Sequence, residues 1–127
     1  MRKRLSADLT LYFSPAYPWQ NSKKSSKKHT AILGIGGNVG NTPARFVRLL
    51  HYLRAHTLVD VVETSPILKN PPFGYLDQPC FYNAVILIKT DLSPHRLLRL
   101  ALHTEKFFKR KRAFENSPRT LDIDIIV

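Results

Sequence analysis

An α+β fold, two helices laid on one face of an antiparallel sheet, is what this 127-residue sequence predicts, and three observations predict it. Two segments repeat apolar residues at helical spacing, and each opens on a hydroxyl residue followed by proline. Four β-rich runs flank them in the order strand, helix, strand, strand, helix, strand. The last run, TLDIDIIV, interleaves two carboxylates with β-branched residues at the period of a strand.

Residues 1–29 stand apart as a basic N-terminal extension. SPAYPWQNSKKSSKKH mixes Pro, Ser and Lys without periodicity, so a largely irregular, flexible segment is expected, in which LTLYF alone could add an edge strand. The folded domain is expected over residues 30–127. Its first strand, TAILGIG, runs into a tight glycine turn, GGNVG. Thr42-Pro43 then caps and opens a helix whose Phe46, Leu49, Leu50 and Leu53 fall at i, i+3, i+4 and i+7. TLVDVVETS reads as the second strand. The stretch 66–79, PILKNPPFGYLDQP, is rich in proline and reads as a rigid loop leading into the third strand, CFYNAVILIKT. Ser93-Pro94 repeats the capping device and opens a second helix with Leu97, Leu100, Ala101 and Thr104 inward. FKRKRAFENSPR is a basic loop, and TLDIDIIV is the fourth strand. This succession is the ferredoxin-like βαββαβ arrangement.

Composition narrows the function. The length suits one domain with a modest core. No apolar run approaches the roughly 18–20 residues of a membrane span. The start, MRKRLSADLTLYF, has too short an apolar part, broken by Asp8, for a secretory leader. A single Cys80 forms no internal disulfide, which suits a reducing cytoplasm. The net charge is +11, of which residues 1–28 contribute +6 and the remainder +5. A phosphate-rich partner follows: nucleic acid, nucleotide or anionic lipid.

Asp122 and Asp124 lie two apart in a strand, so both face one side, with Cα atoms about 6.6 Å apart. Ile123 and Ile125 face the core, which puts the carboxylates on the helix-free face. Such a pair repels itself unless a cation lies between, and hard oxygen ligands suit Mg²⁺ bound together with substrate phosphates. The plain alternative is an exposed strand with its polar residues outward. Lys109, Arg110, Lys111, Arg112 and Arg119 precede the pair, as a polyphosphate substrate requires, although a basic helix end explains Lys109 and Lys111 equally well. Phe81 and Asn83 share one face of the third strand, where a ring beside an amide can stack on a flat heterocycle and bond its edge. GIGGNVG departs from a dinucleotide fingerprint by the late third glycine, and the turn role is preferred. The five histidines show no metal-ligand spacing.

Taken in order, GGNVG, NPPFGYLDQPCFYNAV, Glu105 followed by KRKR, and SPRTLDIDII resemble 6-hydroxymethyl-7,8-dihydropterin pyrophosphokinases over roughly residues 30–127. The resemblance implies a cytoplasmic transferase of folate biosynthesis, with the ferredoxin-like fold, that moves pyrophosphate from ATP to the pterin hydroxymethyl group and releases AMP. It implies two Mg²⁺ ions on Asp122 and Asp124, with Asp124 close to the incoming hydroxyl and the candidate to take its proton. Arg110 and Arg119, helped by Arg112, would reach the triphosphate from a catalytic loop. Leu102, Glu105 and backbone groups of Ile125 would hold the nucleoside. Asn70, Pro72, Phe73, Gly74, Phe81 and Asn83 would form the pterin pocket. The family has Gly where Lys109 stands and an aromatic and Gly where Glu115-Asn116-Ser117 stand, so a different loop closure is expected. Family members also continue past the position of Val127 with a His-containing segment that contacts ATP. The alternatives are a catalytically impaired fragment or interaction domain on the same scaffold, or an RNA-binding module of the same topology. The last is disfavoured because TAILGIG carries no aromatic and an acidic pair repels a phosphate backbone. ATP and the pterin are therefore the expected partners, with neither nucleic acid nor membrane.

Overall fold

The computed structural model describes residues 1–6, 8–71, 79–108 and 120–126. Its strands are β1 (Arg2–Arg4), β2 (Thr10–Tyr12), β3 (Trp19–Gln20), β4 (His29–Gly37), β5 (Val59–Thr64), β6 (Ile67–Asn70), β7 (Phe81–Thr90) and β8 (Asp122–Ile125), with helices α1 (Thr42–Ala55) and α2 (Pro94–Phe108). All strand pairs are antiparallel. The path runs β1-β2-β6-β7-β4-β8, while β5 lies against the other half of β7 and β3 lies outside β5. Reduced to β4, α1, β5–β6, β7, α2 and β8, this is the expected ferredoxin-like order.

The helical stripes fold as their periodicity requires. Phe46, Leu49, Leu50 and Leu53 of α1 are buried, as are Leu97, Ala101 and Thr104 of α2, with Leu100 partly so. They cover Leu33 and Ile35 of β4, Ala84, Ile86 and Ile88 of β7, and Ile123 of β8. Alternation in β7 and β8 leaves Asn83, Val85 and Asp124 exposed on the opposite face. Ser93 caps α2, its Oγ accepting from the Arg96 N–H at 3.3 Å. In α1 the cap falls one residue before the expected Thr42. Asn41 Oδ1 accepts from the Ala44 N–H at 3.2 Å, because an amide oxygen reaches the exposed donors as well as a hydroxyl does.

Three local expectations differ from the structure. TAILGIG is a strand as expected, but β4 runs on through Gly37, so the turn begins later than GGNVG implied and occupies residues 38–41, where Gly40 has φ +64°. Ile67–Asn70, expected within a proline-rich loop, is a strand, because Pro66 and Pro71 flank it and leave its backbone free to pair with β7. Within residues 1–28, LTLYF supplies the added strand it allowed, as β2, whereas β1 and β3 form where an irregular segment was expected. Their physical basis is tertiary: β2 pairs with β6, β3 pairs with β5, and Tyr17 between them is fully buried, its hydroxyl donating to Phe46 O at 2.7 Å. Among the described residues, no helix is long and apolar enough to cross a membrane.

Candidate active site

Strand register assembles the candidate site in two parallel rows on the helix-free face. One row runs Asp122, Gly36, Asn83; the next runs Asp124, Gly34, Val85. In each row a glycine of β4 separates the carboxylate from its counterpart on β7. Two strand spacings put Asp122 and Asn83 roughly 10 Å apart across that glycine floor. These residues, with Phe81 and Ile126, line an open cleft of about 360 Å³. Asp124 is exposed and Asp122 half-buried.

The glycines belong to the site, a role that sequence reading missed. A Cβ on Gly36 would stand 2.8 Å from Asn83 Oδ1, and one on Gly34 would stand 3.0 Å from Ile126 Cδ1. The available signal was their spacing: G-x-G at strand period places both hydrogens on one face.

Asn83 is held by a relay of amides. Its Nδ2 donates to Asn70 Oδ1 at 2.6 Å, and Asn70 Nδ2 donates to Pro71 O at 3.0 Å. Asn70 is only 9 % exposed, so its amide has little freedom. The relay leaves Asn83 Oδ1 over Gly36, facing the cleft as an acceptor. Asn38 anchors the segment entering β7, its Nδ2 donating to Pro79 O at 3.1 Å. Arg45 ties the turn after β4 to the start of β8, its Nη1 donating to Val39 O at 2.6 Å and Thr120 O at 3.3 Å.

Glu105 has a structural partner that sequence reading did not foresee. Its Oε2 accepts the Ile123 N–H at 2.6 Å, and the side chain is 9 % exposed. β4 occupies one edge of β8, so this carboxylate caps the other edge. By the two-residue period the Ile125 N–H points to that same outer edge. The Ile125 side chain lines a small apolar recess of about 260 Å³ with Ala31, Leu92, Pro94 and Leu97. Leu102 stands 54 % exposed one turn before Glu105. Pro72, Phe73, Gly74, Lys109, Arg110, Lys111, Arg112, Glu115, Asn116, Ser117 and Arg119 lie outside the described residues.

A larger cavity, about 560 Å³, opens beside α1 and the end of α2, between Arg45, Arg48, His51, Tyr52 and Phe107. Among the described residues, its lining contains no carboxylate and none of the residues on the glycine floor. The cleft at Asp122 is the better candidate because there acidic, amide and aromatic groups converge.

The sequence profile of the 7,8-dihydro-6-hydroxymethylpterin-pyrophosphokinase family matches residues 32–127. The chain belongs to this family. A 2-amino-4-hydroxy-6-hydroxymethyldihydropteridine pyrophosphokinase of Helicobacter pylori is 40 % identical over 112 residues, covering 87 % of this chain and 69 % of that protein. Its Campylobacter jejuni namesake is 39 % identical over 110 residues, covering 87 % of this chain and 70 % of the relative. That of Bacillus subtilis is 35 % identical over 97 residues, 76 % of this chain and 58 % of its own length. The pyrophosphokinase match runs from Ile32 of β4 through β8, and so includes every residue that lines the glycine-floored cleft.

Proposed function

We propose that this chain transfers pyrophosphate from ATP to the hydroxymethyl group of 6-hydroxymethyl-7,8-dihydropterin and releases AMP, a step of folate biosynthesis. The observation that carries this reading is the convergence of Asp122, Asp124, Phe81 and Asn83 on one cleft within the span that matches the family. The pterin would lie at the Asn83 end, its edge bonded to Asn83 and its ring against Phe81. Its hydroxymethyl group would point along the glycine floor toward the carboxylates, a reach that fits the roughly 10 Å between Asp122 and Asn83.

The donor set fits Mg²⁺. Two carboxylates on one strand face offer hard oxygens, and no cluster of three or more acidic, His or Cys residues encloses a metal among the described residues. The remaining ligands would therefore come from phosphate and water, the usual pattern for Mg²⁺. Asp122 and Asp124 would hold two such ions, which when bound supply charge neutralisation around the phosphoryl oxygens.

In the reaction the hydroxyl oxygen forms a bond to the β-phosphorus of ATP. The bond from that phosphorus to the α–β bridging oxygen breaks, and AMP leaves with that oxygen. The hydroxyl proton passes to Asp124, the exposed carboxylate of the pair. Asn83 and Phe81 orient the acceptor, and alignment accounts for much of the rate because no covalent enzyme intermediate is formed. Leu102 and the outward backbone of Ile125 would carry the nucleoside, with Glu105 fixing the strand that presents it. Arg110, Arg112 and Arg119 would neutralise the triphosphate as the resemblance implies.

The test is AMP formation from ATP, followed by chromatography with and without the pterin. Pterin-dependent AMP that disappears in Asp122→Ala supports the reading. AMP formation indifferent to the pterin, or unchanged in Asp122→Ala, overturns it.

A further inference from the structure

We infer that residues 10–20 position the pterin-contacting amides by holding the bent strand β5–β6 in place; this rests on the functional reading above. β5 and β6 lie end to end along one edge of β7, separated by Ser65 and Pro66. Without further pairing they would form the outer edge of the sheet, with a row of unpaired backbone groups. The N-terminal segment supplies that pairing twice. Thr10, Leu11 and Tyr12 pair with Lys69, Leu68 and Ile67 of β6, and Trp19 and Gln20 pair with Thr64 and Glu63 of β5. Residues 1–31 lie outside the family match, so this edge is built by a part of the chain that the family profile does not include.

The segment is itself tethered to the core between its two strands. The buried Tyr17 hydroxyl reaches Phe46 O, Thr64 Oγ1 donates to Ala16 O at 2.6 Å, and the Arg54 guanidinium lies 4.3 Å from the centre of the Trp19 ring. Asn21 continues the ladder past β3, its N–H donating to Val62 O at 2.9 Å and its Nδ2 to Val61 O at 3.1 Å. β2 thus cannot shift without disturbing α1 and β5.

The consequence reaches the site through one strand. Leu68, opposite Leu11, is also opposite Asn83 on β7, and Asn70 two residues on holds the Asn83 amide. Moving β6 outward by a fraction of an ångström lengthens the 2.6 Å bond that aims Asn83 into the cleft. Leu11 and Tyr12 act as positioning residues: they touch neither substrate, yet they set the acceptor geometry at Asn83.

The experiment compares Leu11→Asp, Leu11→Ala and Leu11→Ile in the full chain, with amide hydrogen exchange of β6 as one readout and binding of pterin and of ATP as the others. Expected are faster exchange of the Lys69 and Asn70 amides and an approximately tenfold weaker pterin Kd in Leu11→Asp, with ATP affinity within about twofold of wild type. Leu11→Ala should show a smaller change of the same kind, and Leu11→Ile should restore both values. If Leu11→Asp does not fold, Leu11→Ala carries the comparison. Faster β6 exchange with unchanged pterin affinity overturns the positioning role and leaves only a stabilising one. Unchanged exchange overturns the claim that β2 holds β6. A wild-type chain that binds no pterin overturns the functional reading instead, and the exchange result still decides whether the N-terminal strand governs Asn70.

Discussion

Replacing Gly36 with alanine puts one methyl group on the floor between Asp122 and Asn83, and its cost can be worked from the contacts. The new Cβ would stand 2.8 Å from Asn83 Oδ1, whereas ordinary contact begins near 3.4 Å, so the amide must retreat by roughly 0.6 Å. Retreat toward Asn70 is blocked, because the Asn83–Asn70 bond is already 2.6 Å. The amide must therefore rotate, which breaks that bond and turns the acceptor away from the cleft. A lost hydrogen bond of this kind costs about 0.5–1.5 kcal/mol, and a ligand group left unpaired costs about 1–3 kcal/mol. Pterin affinity should fall about ten- to a hundredfold. ATP affinity should hold, since the methyl group does not approach the nucleoside recess. Gly34→Ala is the internal control: its nearest neighbour is the free end of the Ile126 side chain, which can turn aside. There the pterin Kd should change by less than about threefold. Calorimetric titration of each variant with pterin and with ATP decides the matter. Equal losses in both variants, or loss of ATP binding with pterin binding intact, would refute the amide argument.

Other consequences are equally open to measurement. Asp122→Ala should lower the rate of AMP formation on the order of a hundredfold or more, which steady-state rates read. Glu105→Ala removes the acceptor for a buried Ile123 N–H and should cost about 1–3 kcal/mol in urea unfolding, whereas Glu105→Gln keeps an acceptor oxygen and should lose less. Burial raises the Tyr17 hydroxyl above its ordinary value of 10.0. The fold favours the neutral phenol, so this contribution is fully present below pH 10 and is lost as pH rises, by up to about 1.4 kcal/mol per pH unit above 10. Tyr17→Phe should flatten that alkaline decline while lowering neutral-pH stability by about 1 kcal/mol, which denaturation at several pH values will read.

The core was legible in the sequence because it rests on strong periodicity. Phe46, Leu49, Leu50 and Leu53 announced α1, and Asp122 and Asp124 announced an outward strand face, since a period of two allows no other arrangement. In residues 2–20 only LTLYF, which holds β2, carried such a signal. Strands of two or three residues are too short to show alternation, and their pairing depends on an edge that forms only when β5 and β6 bend along β7. Tyr17 looked like part of a linker for the same reason: its burial needs Phe46, 29 residues away. Gly34 and Gly36 fell in the expected first strand, but their place in the site went unseen, because the missing side chain that opens space beside Asn83 leaves no chemical group to read. The cap that Glu105 places on the Ile123 amide was invisible in the sequence, because it depends on where β8 lies beside α2.

One cleft would bring a metal–nucleotide complex on Asp122 and Asp124 within reach of Asn83. Paramagnetic Mn²⁺ in place of Mg²⁺, added with a non-hydrolysable ATP analogue, tests it through the side-chain amide signals of the labelled protein. Expected are strong broadening of the Asn83 amide, a much weaker effect on the Trp19 indole on the far side of β5, and loss of the Asn83 effect in Asp122→Ala. An Asn83 signal that stays sharp while Mn²⁺ and nucleotide are bound would contradict it.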